Sequence, residues 1–325
     1  MWRAELLDFL QVSPHKPQDL VSRIKIMENL RPWRKRTLQI ITTERLRKGS
    51  TDTVDGEQLA QVGGHGSVDK SQAMQVSKKG LVMKPIQEGV RGEREVEFYK
   101  TVTSSTDAIK SVWKEFIPQF HGMTSKTLED GTKVEYLMME NLTKDFKKPC
   151  IMDVKIGAKT YGPDASEKKK ASQDASYAGT KQPFGFSVPG MSVHVGEEKE
   201  QVIMKGKEYG RSLTSENIHE LLEIYLDVNN EPKVAKVLAK LFVEELKKSL
   251  QVFQEQTTFH FFASSLLFVY DAEDAREFKE TKDAKVLPSV SLKMIDFAHV
   301  WQAEGQTDQN YIQGVQSLIN LFMNV

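Results

Sequence analysis

Asp153 and Lys155 stand two positions apart in the run Pro149-Cys150-Ile151-Met152-Asp153-Val154-Lys155-Ile156-Gly157. In an extended segment that spacing projects a carboxylate and an ammonium to one face. The residues between and around them are apolar or small, so the pair reads as a catalytic couple fixed on a strand. An isolated acid-base pair at a surface would instead contribute only about 0–1 kcal/mol to stability. Other groups of the same chemical kind lie along the chain. Lys84 closes the segment Leu81-Val82-Met83-Lys84-Pro85, about 18 residues after the glycine-rich turn Gln61-Val62-Gly63-Gly64-His65-Gly66-Ser67. Glu95 follows on a helical segment, where it can pair with Lys84. Asp296 leaves an apolar run beside Phe297, and His299 follows closely. Phosphoryl transfer needs few parts: a lysine on the nucleotide phosphates, acids for magnesium, and a group that orients the attacking hydroxyl. An acid at a strand end suits Mg²⁺, which takes one or two carboxylates and completes its shell with phosphate oxygens and water.

The elements that must carry these groups alternate. The segment ending at Lys84 reads as a strand, and Arg94 to Tyr99 opens a helix with Val96, Tyr99 and Val102 on one face. Val134 to Met139 reads as a strand, with Glu140-Asn141-Leu142 as the connector after it. The Asp153 strand comes next. Gly162 to Pro189, rich in Lys, Ser, Gly and Pro, reads as a short helix plus loops. Thr214 or Ser215 is placed to cap a helix bearing Ile218, Leu221, Leu222 and Tyr225. A longer helix carries Val234, Val237, Leu238, Leu241, Phe242, Leu250 and Phe253 at helical spacing. Phe261 to Tyr270 and Val290 to Phe297 read as strands, and Tyr311 to Phe322 as a closing helix. The boundaries that result are an N-terminal extension over 1–58, a nucleotide-binding lobe over 59–142, and a second lobe over 143–325.

The chain has 325 residues and carries 45 basic and 45 acidic side chains. With no net field, a polyanion must be held by a local cluster, and nucleic acid is not an expected partner. The single cysteine, Cys150, excludes an internal disulfide and points to a reducing compartment, the nucleus and cytoplasm. The first residues lack the apolar core of a secretory signal. No apolar run reaches the roughly 18–20 residues that cross a bilayer, so stable membrane insertion is not expected. Arg31-Pro32-Trp33-Arg34-Lys35-Arg36 is a short basic run that reads first as a solvated basic face and otherwise as a nuclear-import or nucleic-acid patch.

Taken together, the motifs resemble the inositol polyphosphate kinase family over roughly residues 59–325. The run from Pro149 to Gly157 matches its P-x-x-x-D-x-K-x-G signature. Beside it stand Arg91-Gly92 with Arg94-Glu95 and Phe98-Tyr99, then Tyr209-Gly210-Arg211-Ser212-Leu213, Ser264-Ser265-Leu266-Leu267, and Ile295-Asp296-Phe297-Ala298-His299. The last block also resembles the D-F-G arrangement of protein kinases, with Ala298 where glycine would stand. The resemblance implies an α+β, two-lobed fold related to protein kinases, with an inserted substrate-binding helix in the segment 163–189 and ATP in the cleft. It implies that Lys84 contacts ATP phosphates with Glu95 fixing it, that the backbone of Glu140 and Leu142 holds adenine, and that Asp153 binds ribose hydroxyls. Lys155 would lie between the γ-phosphate and the inositol, Asp296 would hold Mg²⁺ with Ser265 close by, and Arg91 and His299 would reach substrate phosphates. This division of labour replaces the simple acid-base reading of Asp153 and Lys155.

The arginine-rich form Arg91-Gly92-Glu93-Arg94-Glu95-Val96-Glu97-Phe98-Tyr99 and Glu140-Asn141-Leu142-Thr143 point to the multikinase branch, acting on inositol trisphosphate and tetrakisphosphate. In the substrate segment, Lys168, Lys169 and Lys170 suit a polyphosphate. Asp164-Ala165-Ser166-Glu167 also resembles the hexakisphosphate kinases, which make pyrophosphates. A phosphoinositide headgroup is a further candidate substrate, and a regulatory scaffold using the same fold is the reading from a different class.

Overall fold

The computed structural model describes residues 57–58, 73–105, 112–128, 130–196, 201–281 and 287–325. Most of the expected extension over 1–58, including the Arg31–Arg36 run, and the glycine-rich turn Gln61–Ser67 lie outside these residues.

The first sheet is built from β1 (Glu57–Gln58), β2 (Gln75–Val76), β3 (Val82–Pro85), β4 (Phe120–Thr127) and β5 (Lys133–Met139), in the order β1-β2-β3-β5-β4. All its pairings are antiparallel, and Lys84 lies opposite Leu137. Helix α1 (Val90–Ser104) follows β3 and begins earlier than the sequence reading placed it, directly after Gly89 at φ 68°. Its inner face is Gly92, Glu95, Phe98, Tyr99 and Val102. Val96, expected on that face, is only half-buried. Apolar periodicity alone misses this rotation because a buried glutamate occupies a core position, which is tolerated when the charge is paired.

The second sheet supplies the strand of the Asp153 motif. Its elements begin with β6 (Pro149–Ile156), α2 (Glu167–Ala175), α3 (Ala178–Phe184), β7 (Phe186–Val195), β8 (Gln201–Lys205), α4 (Lys207–Ser212) and α5 (His219–Tyr225). They continue with α6 (Pro232–Glu255), β9 (Phe259–Phe261), β10 (Ser265–Asp271), α7 (Ala272–Thr281), β11 (Val290–Ile295), β12 (Val300–Gln302) and α8 (Gln309–Met323). The strand order is β11-β10-β6-β7-β8, with β12 and β9 forming a separate pair. Strand β6 is central, which explains its nearly continuous apolar sequence around Asp153.

Three local expectations change. Gly162–Pro189 holds two helices rather than one, and Phe186 to Pro189 belong to β7. A proline removes a ladder donor and is accommodated at a bulge. The β6–β7 register shifts at this point, between the pairs Asp153–Gly190 and Lys155–Ser187. The run Phe261–Tyr270 splits into β9 and β10, with Ala263 at φ 54° in the break. Thr214 and Ser215 do not cap α5, which starts at His219 after Ile218. The Thr214 N–H donates to Asn217 Oδ1 at 2.7 Å, and Thr214 Oγ1 accepts from the Glu216 N–H, so these groups close a turn instead.

Helices α6 and α8 form where their apolar stripes place them, although Val237, Leu241 and Leu250 of α6 are only half-buried, and they stack Phe253 on Tyr311 with ring centres 3.8 Å apart. A second aromatic cluster joins Phe98 and Tyr99 of α1 to Phe259, Phe261 and Phe297, with Phe98 4.3 Å from Phe297. It fastens α1 to the turn that carries Asp296.

Candidate active site

Lys84, near the end of β3 in the first sheet, lies between two carboxylates. Its Nζ is 2.7 Å from Glu95 Oε1 and 2.6 Å from Asp296 Oδ1. The same Glu95 oxygen accepts the Phe297 N–H at 3.1 Å, so α1 holds both the lysine and the backbone beside Asp296. Glu95 is 1% exposed, whereas the Asp296 side chain is 43% exposed. The first is a fixed anchor; the second opens toward solvent and can take a further ligand. Burial works to lower the Lys84 ammonium, but Asp296 and Glu95 together hold it well above the ordinary lysine range. Burial likewise works to raise the Asp296 carboxyl, and Lys84 and Lys155 overcome it and hold it below the ordinary value. Asp296 sits at φ 66°, a left-handed conformation that aspartate tolerates better than most side chains and that is found at constrained sites.

Asp153 and Lys155 project from β6 toward the same centre. Asp153 is buried, and its Oδ1 has no hydrogen-bond partner among the described residues. Burial, with the Asp296 charge next, pushes its carboxyl up to about 6, against the pull of the Lys155 and Lys84 charges. Ser265, opposite Lys155 on β10, is buried with an unpartnered hydroxyl. The structure therefore gathers Lys84, Glu95, Asp153, Lys155, Ser265 and Asp296 from five separate elements. Gly157, the last residue of the motif, has φ 105°, and a Cβ there would lie 2.3 Å from Asn310 Nδ2. The glycine lets the chain turn against α8 immediately after Lys155.

Beside this centre a cavity of about 570 Å³ is lined by Arg91, Arg94, Asp164, Ser166, Lys169 and His299, with Gln87, Glu88, Val90 and Ala165. Ser166 accepts from the Lys169 N–H at 3.3 Å and caps α2. Burial, then Lys169 and Arg91, push the His299 imidazole down to about 4, and its buried Nδ1 has no hydrogen-bond partner among the described residues. Of the expected lysines only Lys169 lines the cavity. Lys168 is exposed away from the lining, and Lys170 pairs with Glu167 at 2.6 Å. Successive helical positions point about 100° apart, so adjacent lysines cannot all face one cavity. Arg94 and Asp164 stand in motifs already legible in the sequence but received no role there, and Trp301 carried no sequence signal.

The connector after β5 is held in shape by its own side chains. Asn141 Oδ1 accepts the Thr143 N–H at 3.0 Å, and the Glu140 N–H donates to the Gln119 carbonyl at 2.9 Å. Glu140 and Leu142 are both half-buried. Cys150 is buried, its thiol pushed up to about 11 by burial, and is therefore not a nucleophile at neutral pH.

A family model described as inositol polyphosphate kinase matches residues 136–323. The chain belongs to the inositol polyphosphate kinase family. Within this family, inositol polyphosphate multikinase alpha of Arabidopsis thaliana is 30% identical over 279 residues, covering 82% of this chain and 94% of that protein. Inositol polyphosphate multikinase of Homo sapiens is 36% identical over 195 residues, covering 59% of this chain and 45% of that protein. The crystal structure of inositol phosphate multikinase Ipk2 from S. cerevisiae, in complex with ADP and Mn²⁺, superposes with a TM-score of 0.59 at 27% identity. That likeness covers 75% of this chain and 98% of the yeast chain. The expected α+β kinase-type fold and the multikinase resemblance are thereby borne out, and the chain is a phosphotransferase of this family.

Proposed function

We propose that this chain transfers the γ-phosphoryl group of ATP to hydroxyls of inositol trisphosphate and tetrakisphosphate. The observation that carries this reading is adjacency. Asp296, ion-paired to Lys84, is followed three residues later by His299, which lines the cavity with Arg91, Arg94 and Lys169. A nucleotide-binding centre and a polyanion-binding cavity therefore meet at one turn of chain.

The donor side uses groups already in place. The lobes proposed at 59–142 and 143–325 would hold ATP between them, with the backbone of Glu140 and Leu142 on adenine. The orphaned Oδ1 of Asp153 suits a ribose hydroxyl, since a buried acceptor left unpaired is costly and a donated hydrogen bond relieves it. Lys84 and Lys155 would balance charge on the β- and γ-phosphates as the bridging P–O bond breaks to release ADP, the substrate oxygen bonds to phosphorus and the hydroxyl proton passes to solvent. Among the described residues no three His, Cys, Asp or Glu side chains cluster as a metal cage. That donor set fits Mg²⁺, which relies on few protein ligands. Asp296 would hold the ion, with Ser265 close by, and the ion would supply charge neutralisation on the transferred phosphoryl group.

On the acceptor side, Arg91 and Lys169 would bind substrate phosphates, with Lys168 and Lys170 adding charge from the outer faces of α2. His299, held neutral by burial and its cationic neighbours, would gain a proton as a polyphosphate enters. A phosphoinositide headgroup carries the same phosphate chemistry, and no helix among the described residues is long and apolar enough to cross a membrane. The test is purified protein with ATP and Mg²⁺, offered inositol trisphosphate, pentakisphosphate and hexakisphosphate separately. Turnover of the trisphosphate supports the reading. No turnover of any by folded protein would sink it, and turnover of the hexakisphosphate alone would reassign the chain to the pyrophosphate-forming reaction.

A further inference from the structure

Arg94 has been given no role so far, yet it is held on two sides. Its Nη1 lies 3.1 Å from Asp164 Oδ2, and its guanidinium lies 4.0 Å from the centre of the Trp301 ring. Trp301 also abuts Gly162, where a Cβ would come within 2.4 Å of the indole Nε1. Gly162 to Asp164 is the stretch that leads into α2, and α2 places Lys169 in the cavity. Arg94 is next to Glu95, so one turn of α1 grips the Lys84 centre with one side chain and the substrate segment with the next.

An arginine in such a cavity has two available roles: a direct ligand of substrate phosphate, or a clamp. A guanidinium has fixed, planar donors, and here one face is covered by an indole while one end is taken by a carboxylate. Arg94 is 22% exposed against 47% for Asp164. Arg91, one turn earlier, is the exposed arginine of the cavity. We propose that Arg94, through Asp164 and Trp301, is a positioning residue that fastens the Gly162–Lys169 segment to α1 and so sets the shape of the acceptor cavity. The name of the acceptor rests on the function proposed above; the clamp itself does not.

Asp164→Asn breaks the ion pair and leaves Arg94 in place, so the sign of its effect separates the two roles. For a clamp, KM for inositol trisphosphate rises about two- to fivefold, the range for a partly exposed ion pair. KM for ATP changes by less than about twofold, because the donor side is held by Glu95 instead. Asp164→Glu restores most of the loss. A fall in KM for inositol trisphosphate would mean that Asp164 restrains a phosphate-binding arginine and would overturn the proposal, as would an unchanged KM. Should Asp164→Asn fail to fold, Arg94→Lys keeps the charge but loses the stacked plane, and a wild-type KM in it is equally fatal. Amide hydrogen exchange over residues 162–175 reads the clamp without turnover. Faster exchange in Asp164→Asn supports it, and unchanged exchange overturns it. Wild-type protein that turns over no inositol phosphate would end the functional reading while leaving the exchange result to decide the clamp.

Discussion

Lys84 Nζ lies 2.6 Å from Asp296 Oδ1, joining a strand of one sheet to the turn after a strand of the other, 212 residues away in sequence. Glu95 holds the same ammonium from the opposite side at 2.7 Å. The lysine therefore has a permanent, buried partner and a second, more exposed one. On the function proposed above, this asymmetry would let Asp296 exchange its contact for a metal-nucleotide complex while Lys84 keeps its place.

Asp296→Asn tests that division. Asparagine also tolerates the left-handed backbone at φ 66°, so the turn should survive. Lys84 retains Glu95, and the lost partner is 43% exposed, so the melting temperature should change little. Turnover should fall at least about a hundredfold, as expected when an electrostatic group at the transferred phosphoryl is neutralised. An active variant would refute the metal-holding role proposed for Asp296.

The pH dependence of stability should report His299. Its folded value of about 4 lies below the ordinary 6.5, so between these values the unfolded chain binds a proton that the folded chain does not. Stability from this group is full above 6.5 and is lost as pH falls toward about 4. A polyphosphate in the cavity favours the imidazolium, so inositol trisphosphate should stabilise the protein more as pH falls through the upper part of that window. Thermal melts with and without the ligand check this. In His299→Gln the extra, pH-dependent part of the stabilisation should vanish; its persistence would place the titration elsewhere.

Gly157→Ala should destabilise the fold by about 2–4 kcal/mol, since it combines an unfavourable left-handed φ with a steric clash. The clashing Asn310 side chain cannot easily give way, because it accepts the Lys159 N–H at 2.9 Å and donates to the Lys159 carbonyl at 3.0 Å. Denaturant midpoints measure the loss. Adding Asn310→Ala to Gly157→Ala removes the nearest clash but also both Lys159 hydrogen bonds, and it leaves the Lys159 carbonyl 3.0 Å from the new Cβ and the backbone strain in place, so full recovery would contradict the assigned cause.

The sequence by itself determined the elements and the chemical parts they carry. The nearly continuous apolar run around Asp153 and Lys155 marks a buried strand, and helical stripes mark α6 and α8, because these signals lie within a few residues of one another. Lys84 and Glu95, only 11 residues apart, could be matched as a pair for the same reason. Only the tertiary structure decided which parts meet. Lys84 reaches Asp296 across 212 residues and Arg94 reaches Asp164 across 70, contacts that no local period records. It also singled out Lys169 from its neighbours, since the direction of each lysine depends on how α2 is docked. Periodicity is a property of neighbouring residues. The site is a property of how distant segments are brought together, which depends on the packing of the whole chain.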